Sequence, residues 1–244
     1  MSVLAVIPAR LAATRLPRKP LRLLAGAPLV VRVWERVRDM RVADRCVVAT
    51  DAPEIADVVR AAGGECVLTR DDHPSGTDRV AEVAALPQFA GFRAVVNVQG
   101  DEPFVSSEAV RGAVRLVTSG AFPLGTAAVA ASAGILAQPN AVKVVTADDG
   151  RAMYFSRAPI PWLRDAADPD DASRRDALVR QHVGVYAYTP AALAAWVRLA
   201  PHPLELVERL EQLRPLARRT RLEPVILDVR DAGGLMRLFR SARP

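Results

Sequence analysis

Four cations, Arg10, Arg15, Arg18 and Lys19, fall within ten residues of one another, between Pro8 and Pro20 with Pro17 inside the run. Proline fixes its own φ, so such a loop has little backbone freedom and holds its cations in a preset arc. Cations fanned around a loop suit a polyphosphate, whose oxygens take charge-assisted hydrogen bonds from several donors at once. The Gly-x-x-x-x-Gly-Lys spacing of a Walker loop is absent. On charge alone the run reads equally as a basic surface loop. Lys19 and Lys143 are the only lysines, and every other fixed side-chain cation is arginine. A compact ammonium on a flexible stem reaches a single phosphate oxygen where a planar guanidinium is too broad.

Three further groups carry polar chemistry. Ser75-Gly76-Thr77, inside the run Thr69–Arg79, reads as the N-cap of a helix. The free N–H groups there suit a base or a phosphate, although an ordinary capped helix has the same signature. Asn97-Val-Gln-Gly-Asp-Glu-Pro103 places Asp101 and Glu102 after an apolar run, opened by a glycine turn. One or two carboxylates plus substrate phosphates is how Mg²⁺ is usually held, and Asp101 is the better ligand candidate. The last group is dispersed over Pro139–Lys143, Tyr154–Arg157, His182–Tyr186 and Leu204–Arg214. In it Arg157 and Lys143 suit a substrate carboxylate, and His182 and Glu211 suit hydroxyls. Glu208, Glu211 and Gln212 are spaced to share one helix face. Each of these has a plain alternative: a core histidine, or a solvated helix face.

The elements that must position these residues are visible as periodicity. Val3–Pro8, Cys46–Thr50, Glu65–Leu68 and Ala94–Val98 read as strands. Pro28–Asp39, Pro53–Ala62 and Thr77–Ala85 read as helices. This alternation predicts βαβ units and a mostly parallel sheet. Ligands of such sheets lie at the carboxyl ends of strands, where the polar groups after Pro8, Leu68 and Val98 fall. The later chain predicts strands at Leu124–Ala131, Ala141–Ala147, Ala152–Ser156, His182–Tyr188 and Arg221–Asp228. It predicts helices at Pro190–Leu199, Pro203–Leu213 and Gly234–Arg240, and an exposed loop or lid over Asp165–Asp176. One domain over residues 1–244, with a β-rich lobe at about 124–200, is simpler than two independent domains.

Composition narrows the function classes. Hydrophobic residues make up 50% of the 244, enough for a substantial core. No uncharged apolar run of about 18 residues occurs, so no transmembrane helix is expected. The apolar start lacks a basic leader and stops at Pro8, which fits a buried strand rather than a signal peptide. Cys46 and Cys66 have no metal-type spacing and read as reduced core thiols of a cytoplasmic protein. The formal charge of +6 is scattered, with no basic stripe interleaved with aromatics. A small anionic substrate explains the excess as well as nucleic acid would, and a solvated arginine-rich surface is the plainer reading.

Taken in order, these segments resemble the 3-deoxy-manno-octulosonate (Kdo) cytidylyltransferases. That family carries Pro-Ala-Arg…Thr-Arg-Leu-Pro-x-Lys-Pro-Leu, matched by Pro8–Leu21, and Ser-Gly-Thr-Asp/Glu-Arg, matched by Ser75–Arg79. It also carries Asn-Val-Gln-Gly-Asp-Glu-Pro, matched by Asn97–Pro103, and Asn-Pro-Asn-x-Val-Lys, matched by Pro139–Lys143 with Gln138 in place of the first Asn. Tyr-Phe-Ser-Arg, His-x-Gly-x-Tyr and Leu-Glu-Gln-Leu-Arg follow, so the resemblance spans residues 3 to 216. It implies an α/β, nucleotide-diphospho-sugar transferase-like (Rossmann-like) fold with a mostly parallel sheet and an inserted β-rich lobe used for dimerisation. It implies CMP transfer from CTP to the anomeric hydroxyl of Kdo, with Mg²⁺ as cofactor, in a cytoplasmic homodimer. Lys19, Asp101 and Arg15 would be catalytic. Pro8, Ala9, Arg10, Thr14, Arg15, Lys19, Ser75, Gly76, Thr77, Arg79 and Gln99 would hold the nucleotide. Gln99, Arg157, His182, Tyr186 and Glu211 would line the sugar-acid pocket, and Asp101 would bind the metal.

Two departures stand out. The family ends on Val-Asp-Thr-Pro-Glu-Asp-Leu, whose Asp is a second metal ligand, and Arg230 occupies that register here. A guanidinium has no lone pair for a cation. Asp228 or Asp231 would have to substitute after a small shift. Ala13 also stands where the family usually has Ser. A cytidylyltransferase for a related acidic sugar and a catalytically impaired nucleotide-binding homologue therefore remain alternatives.

Overall fold

The run Val3–Ala9 forms a strand, β1, that is buried along its whole length in a computed structural model describing residues 2–11, 16–165, 168–218 and 224–229. A strand covered on both faces carries apolar residues at nearly every position, which is why no alternation shows in the sequence. A short hairpin, β2 (Leu23–Leu24) and β3 (Ala27–Pro28), leads into α1 (Leu29–Asp39). Then come β4 (Arg45–Thr50), α2 (Pro53–Ala61), β5 (Glu65–Leu68), α3 (Gly76–Ala84) and β6 (Ala94–Val98). The chain continues through α4 (Ser107–Thr118), β7 (Leu124–Ala130), β8 (Lys143–Thr146), β9 (Ala152–Ser156) and α5 (Pro169–Leu178). It ends its described course in β10 (Arg180–Tyr188), α6 (Pro190–Val197), α7 (Pro203–Glu208), α8 (Leu213–Ala217) and β11 (Val225–Val229).

Among the described residues the main sheet runs β11-β7-β10-β6-β1-β4-β5, with β8 joined to β10 and to β9. β1 is parallel to β4 and β6, β4 to β5, and β7 to β11. β10 is antiparallel to β6, β7 and β8. Side chains of β1 alternate between two cores. Ala5 and Ile7 pack with Val30 and Trp34 of α1, Ile55 and Val59 of α2, and Val110 and Val114 of α4. Leu4 and Val6 pack with Val80 and Val83 of α3 and Leu193 and Trp196 of α6. A third cluster, with Ala128, Val144, Phe155, Leu210, Leu213 and Ile226, joins β7, β8, β9 and β11 to the α7–α8 segment.

The structure is the mixed α/β architecture, with a mostly parallel sheet, that the alternation predicts. Three local readings need correction. Helix α4 goes unpredicted, yet Ser106 caps it and Ala109, Val110, Ala113, Val114 and Val117 form its buried stripe. Segment 165–176 is not simply an irregular loop, since most of it forms α5. Asp168 accepts from the Asp170 N–H at 2.8 Å, Pro169 opens the helix, and Arg174 pairs with Asp171 one turn away at 2.6 Å. No residue of α5 is buried, so no apolar stripe betrays it in the sequence. The single helix predicted over Pro203–Leu213 is two short ones, broken at Arg209, which adopts φ 56° in the left-handed region. The predicted helix at Gly234–Arg240 lies outside the described residues, as does the start of the strand predicted at Arg221–Asp228. Cys46 and Cys66 are unpaired, and burial pushes their thiols up to about 12 and about 11, so neither is a nucleophile at neutral pH.

Candidate active site

Parallel strands deliver their carboxyl ends to one edge of a sheet, and here β1 and β6 do so side by side. The turn after β6 lies directly on the end of β1. A Cβ added to Gly100 would be 2.5 Å from the Pro8 carbonyl oxygen, so only glycine fits. The start of α3 closes the other side, since a Cβ at Gly76 would lie 3.4 Å from Pro8 Cγ. Ser75 caps α3, accepting from the Asp78 N–H at 3.3 Å while its own hydroxyl donates to the Asp78 carboxylate at 2.5 Å. Gly100→Ala therefore forces two backbones apart and moves Asp101 with them. Misplacement of catalytic groups by about 1 Å costs on the order of a hundredfold. A drop of roughly that size in kcat/KM is expected from steady-state kinetics, and an unchanged value would show that the close approach is dispensable.

Between these walls is a cleft of ≈ 660 Å³. It is lined by Pro8, Ala9, Arg10, Leu16, Lys19, Pro20, His73, Pro74, Ser75, Gly76, Arg79, Gln99, Gly100, Asp101 and Glu211. Most of the residues that the sequence suggests for the nucleotide thus share one space. Thr77 does not line it; buried below, it donates to Glu211 at 2.8 Å. Arg79 is 3% exposed and acts partly as a strut, bonded to the Thr69 hydroxyl and paired with Asp51 at 3.2 Å. Thr14 and Arg15 lie outside the described residues. His73 lines the cleft without having been singled out, with its Nε2 against Glu82. Its place just before the α3 cap was the available signal.

Lys19 and Asp101 meet across the cleft, Nζ to Oδ2 at 2.5 Å, with side chains 35% and 50% exposed. So open a pair adds little to stability, but it joins the loop after β1 to the end of β6 at the place where phosphates would lie. Among the described residues no three His, Cys, Asp or Glu side chains gather as a metal cage. A Mg²⁺ ion suits this wall with one carboxylate, Asp101, and substrate and water oxygens for its remaining positions. Asp228 stands in β11 opposite Ala128, three strand spacings from β6, on the order of 14 Å across the sheet. Arg230 and Asp231 lie outside the described residues.

The sugar candidates divide. Gln99 and Glu211 line the cleft. Burial holds the Glu211 carboxyl above the ordinary carboxylate range, while its bond from Thr77 pulls the other way. His182 and Tyr186 stand on β10, which lies against β6 with Tyr186 opposite Asn97, just before Gln99. The His182 ring makes an edge contact with Phe155 at 5.0 Å and a tilted one with Tyr186 at 5.3 Å. Burial lowers its pKa to about 3, so the imidazole is neutral. Arg157 lines a second, more apolar cavity of ≈ 770 Å³ with Pro139, Pro161 and Trp162. Its guanidinium donates to the carbonyls of Glu208 at 2.8 Å, Pro139 at 3.0 Å and Arg209 at 3.4 Å.

Lys143 is not a substrate contact here. It is fully buried, and its ammonium spends three donors on the carbonyls of Gln138 at 3.0 Å, Ala141 at 2.8 Å and Arg157 at 2.5 Å. Burial lowers its pKa accordingly. The break at Arg209 also separates the two glutamates predicted to share a helix face. Glu208 turns to the Ser156 hydroxyl at 2.5 Å and the Arg157 N–H at 2.9 Å, while Glu211 reaches Thr77.

A mostly parallel α/β sheet that gathers cations, a helix N-terminus and a carboxylate around one strand-end cleft defines a nucleotide-using transferase of Rossmann-like construction. The cytidylyltransferase family model matches residues 4–222. A 3-deoxy-manno-octulosonate cytidylyltransferase of Gemmatimonas aurantiaca is 66% identical over 217 residues, covering 89% of this chain and 83% of that protein. One of Serratia proteamaculans is 48% identical over 217 residues, covering 88% and 86%. A solved structure of CMP:2-keto-3-deoxy-manno-octonic acid synthetase complexed with CTP is 34% identical, with TM-score 0.84 over 99% of this chain and 98% of that one. The chain belongs to the 3-deoxy-manno-octulosonate cytidylyltransferases, within the cytidylyltransferase family.

Proposed function

We propose that this chain transfers CMP from CTP to the anomeric hydroxyl of Kdo, giving CMP-Kdo and pyrophosphate, an activation step for lipopolysaccharide-type sugars. The observation that carries this reading is the single cleft in which Arg10, Lys19 and the α3 N-terminus face Asp101, Gln99 and Glu211.

Phosphoryl transfer asks a protein for position and charge neutralisation more than for covalent help. In this reading Arg10 and Lys19, with Arg15, hold the triphosphate. Ser75, Gly76 and the backbone after Pro8 take the cytosine end, with Thr77 and Arg79 bracing that wall. Gln99 stands between nucleotide and sugar. Glu211, His182, Tyr186 and Arg157 orient the sugar acid so that its anomeric hydroxyl meets the α-phosphate in line with the departing pyrophosphate. Asp101 would hold Mg²⁺, which supplies charge neutralisation and favours the ionised hydroxyl when bound. Lys19, released from Asp101, would then turn to a phosphate oxygen.

The same reading makes the chain one α/β unit whose β-rich segment at about 124–200 serves substrate and dimer contacts. It makes the protein a cytoplasmic homodimer acting on small molecules rather than on nucleic acid. No helix among the described residues is long and apolar enough to cross a membrane. Trp162, 77% exposed beside the apolar second cavity, suits a protein contact.

Pyrophosphate release by purified protein with CTP, Kdo and Mg²⁺, run beside UTP and ATP, tests the reaction. Release that depends on both CTP and Kdo is expected. Kdo-independent release, or none from a sample that still binds CTP, overturns the reading.

A further inference from the structure

Strand β10 is irregular between His182 and Tyr186, the two residues of β10 read as sugar contacts. Val183 lies opposite Ala127 and Tyr186 opposite Thr126, so Gly184 and Val185 bulge away from β7. Bulges beside active sites re-aim side chains and leave carbonyls off the ladder. Here the freed groups converge on one buried hydroxyl. Thr126 Oγ1 lies 2.6 Å from the Val185 carbonyl, 3.5 Å from that of Val183 and 3.0 Å from His182 Nε2.

A hydroxyl has one hydrogen to give, and a carbonyl oxygen can only accept. At 2.6 Å the Thr126–Val185 contact requires that hydrogen between the two oxygens. Thr126 is thereby left to accept from His182, and the imidazole proton is on Nε2. A neutral imidazole protonated at Nε2 carries its lone pair on Nδ1. Nδ1 has no protein partner among the described residues, and the Phe155 and Tyr186 rings hold the imidazole in place.

We propose that Thr126 is a positioning residue of the sugar pocket: through the β10 bulge its hydroxyl fixes His182 as the Nε2–H tautomer, and Nδ1 accepts a hydrogen bond from a hydroxyl of the sugar acid. The second half rests on the reading of His182 as a sugar contact. Its chemical consequence is a demand for a donor, so a methoxy group at that sugar position is rejected where a hydroxyl is accepted.

The test begins with the unaltered protein labelled with ¹⁵N-histidine; the sequence holds three histidines, so assignment is direct. The His182 resonances are expected to show Nε2 protonated and Nδ1 bare at neutral pH, with the Nδ1 signal moving on addition of Kdo. A proton on Nδ1, or a charged ring, overturns the tautomer assignment whatever the enzyme's substrate. Thr126→Val is expected to mix the tautomers and raise KM for Kdo roughly tenfold, the scale of one lost hydrogen bond, with KM for CTP unchanged. Thr126→Ser, which keeps the hydroxyl, is expected to restore both the tautomer and KM. If the valine variant does not fold, the unaltered protein and the serine variant still decide the matter. A correct tautomer with an Nδ1 signal indifferent to Kdo, in an enzyme that turns Kdo over, overturns the sugar contact. Loss of Kdo-dependent turnover in the unaltered protein would instead sink the functional reading and leave the tautomer readable.

Discussion

Asp101→Asn is expected to lower turnover by roughly a thousandfold while leaving the fold and its thermal midpoint almost unchanged. The substitution keeps the shape of the side chain and removes its charge. In the structure that charge faces Lys19 at 2.5 Å, at the carboxyl end of β6 and on the wall of the cleft. In the proposed reading this carboxylate would share a divalent cation with the nucleotide phosphates. An amide there is a poor ligand for a cation, and Lys19 loses the carboxylate with which it pairs in the structure. The effect on stability is small because the pair is 35% and 50% exposed, and open ion pairs contribute at most about 1 kcal/mol. Pyrophosphate release and circular dichroism on the same preparation separate the two. Turnover within a few fold of the unaltered enzyme would remove Asp101 from the metal role.

The largest effect on stability is expected from Glu205→Ala. Glu205 and Arg214 are 7% and 4% exposed and form a two-pronged pair, Nε to Oε2 at 2.9 Å and Nη2 to Oε1 at 2.6 Å. Glu205 also accepts from the His202 N–H at 3.2 Å, closing the capping box of α7. The bond to Glu205, offset by burial, raises the pKa of the guanidinium; without that partner only burial opposes the charge, and a guanidinium, intrinsically above about 12, still keeps it. Removing one member of a buried pair strands the other, at a cost of about 3–5 kcal/mol. For a chain of this size that is a fall in melting temperature of about 10 °C. Replacing both residues by apolar ones of similar volume should recover most of the loss, because a buried pair repays its own desolvation only narrowly. Calorimetry on the single and double variants checks this, and a loss below about 1 kcal/mol in the single variant would contradict it. The damage should extend to catalysis, since α7 and α8 flank the turn that carries Glu211 to Thr77.

What could be read from residues alone was whatever short-range physics writes into a local stretch. Glu65–Leu68, Ala94–Val98 and Ala152–Ser156 are strands with the bounds their apolar runs suggest. The cap at Ser75, the proline-braced cation loop and the glycine turn before Asp101 announced a strand-end site, because turns, caps and carboxyl-end clefts each leave a signature within a few residues. The family resemblance added the order of the motifs. Pairing across long separations left no such signature. Lys143 looked like a ligand for a substrate carboxylate until three carbonyls, one of them fourteen residues away on Arg157, were folded around it. Glu208 and Glu211 had helical spacing, yet the chain turns left-handed at Arg209, and the two carboxylates go to Ser156 and Thr77 on different elements. Helix α5, charged on every side, had no stripe to reveal it. Thr126 belongs to no motif at all. Its part comes from the register of β7 against a bulged β10, and register is settled by how two distant strands bury their faces together.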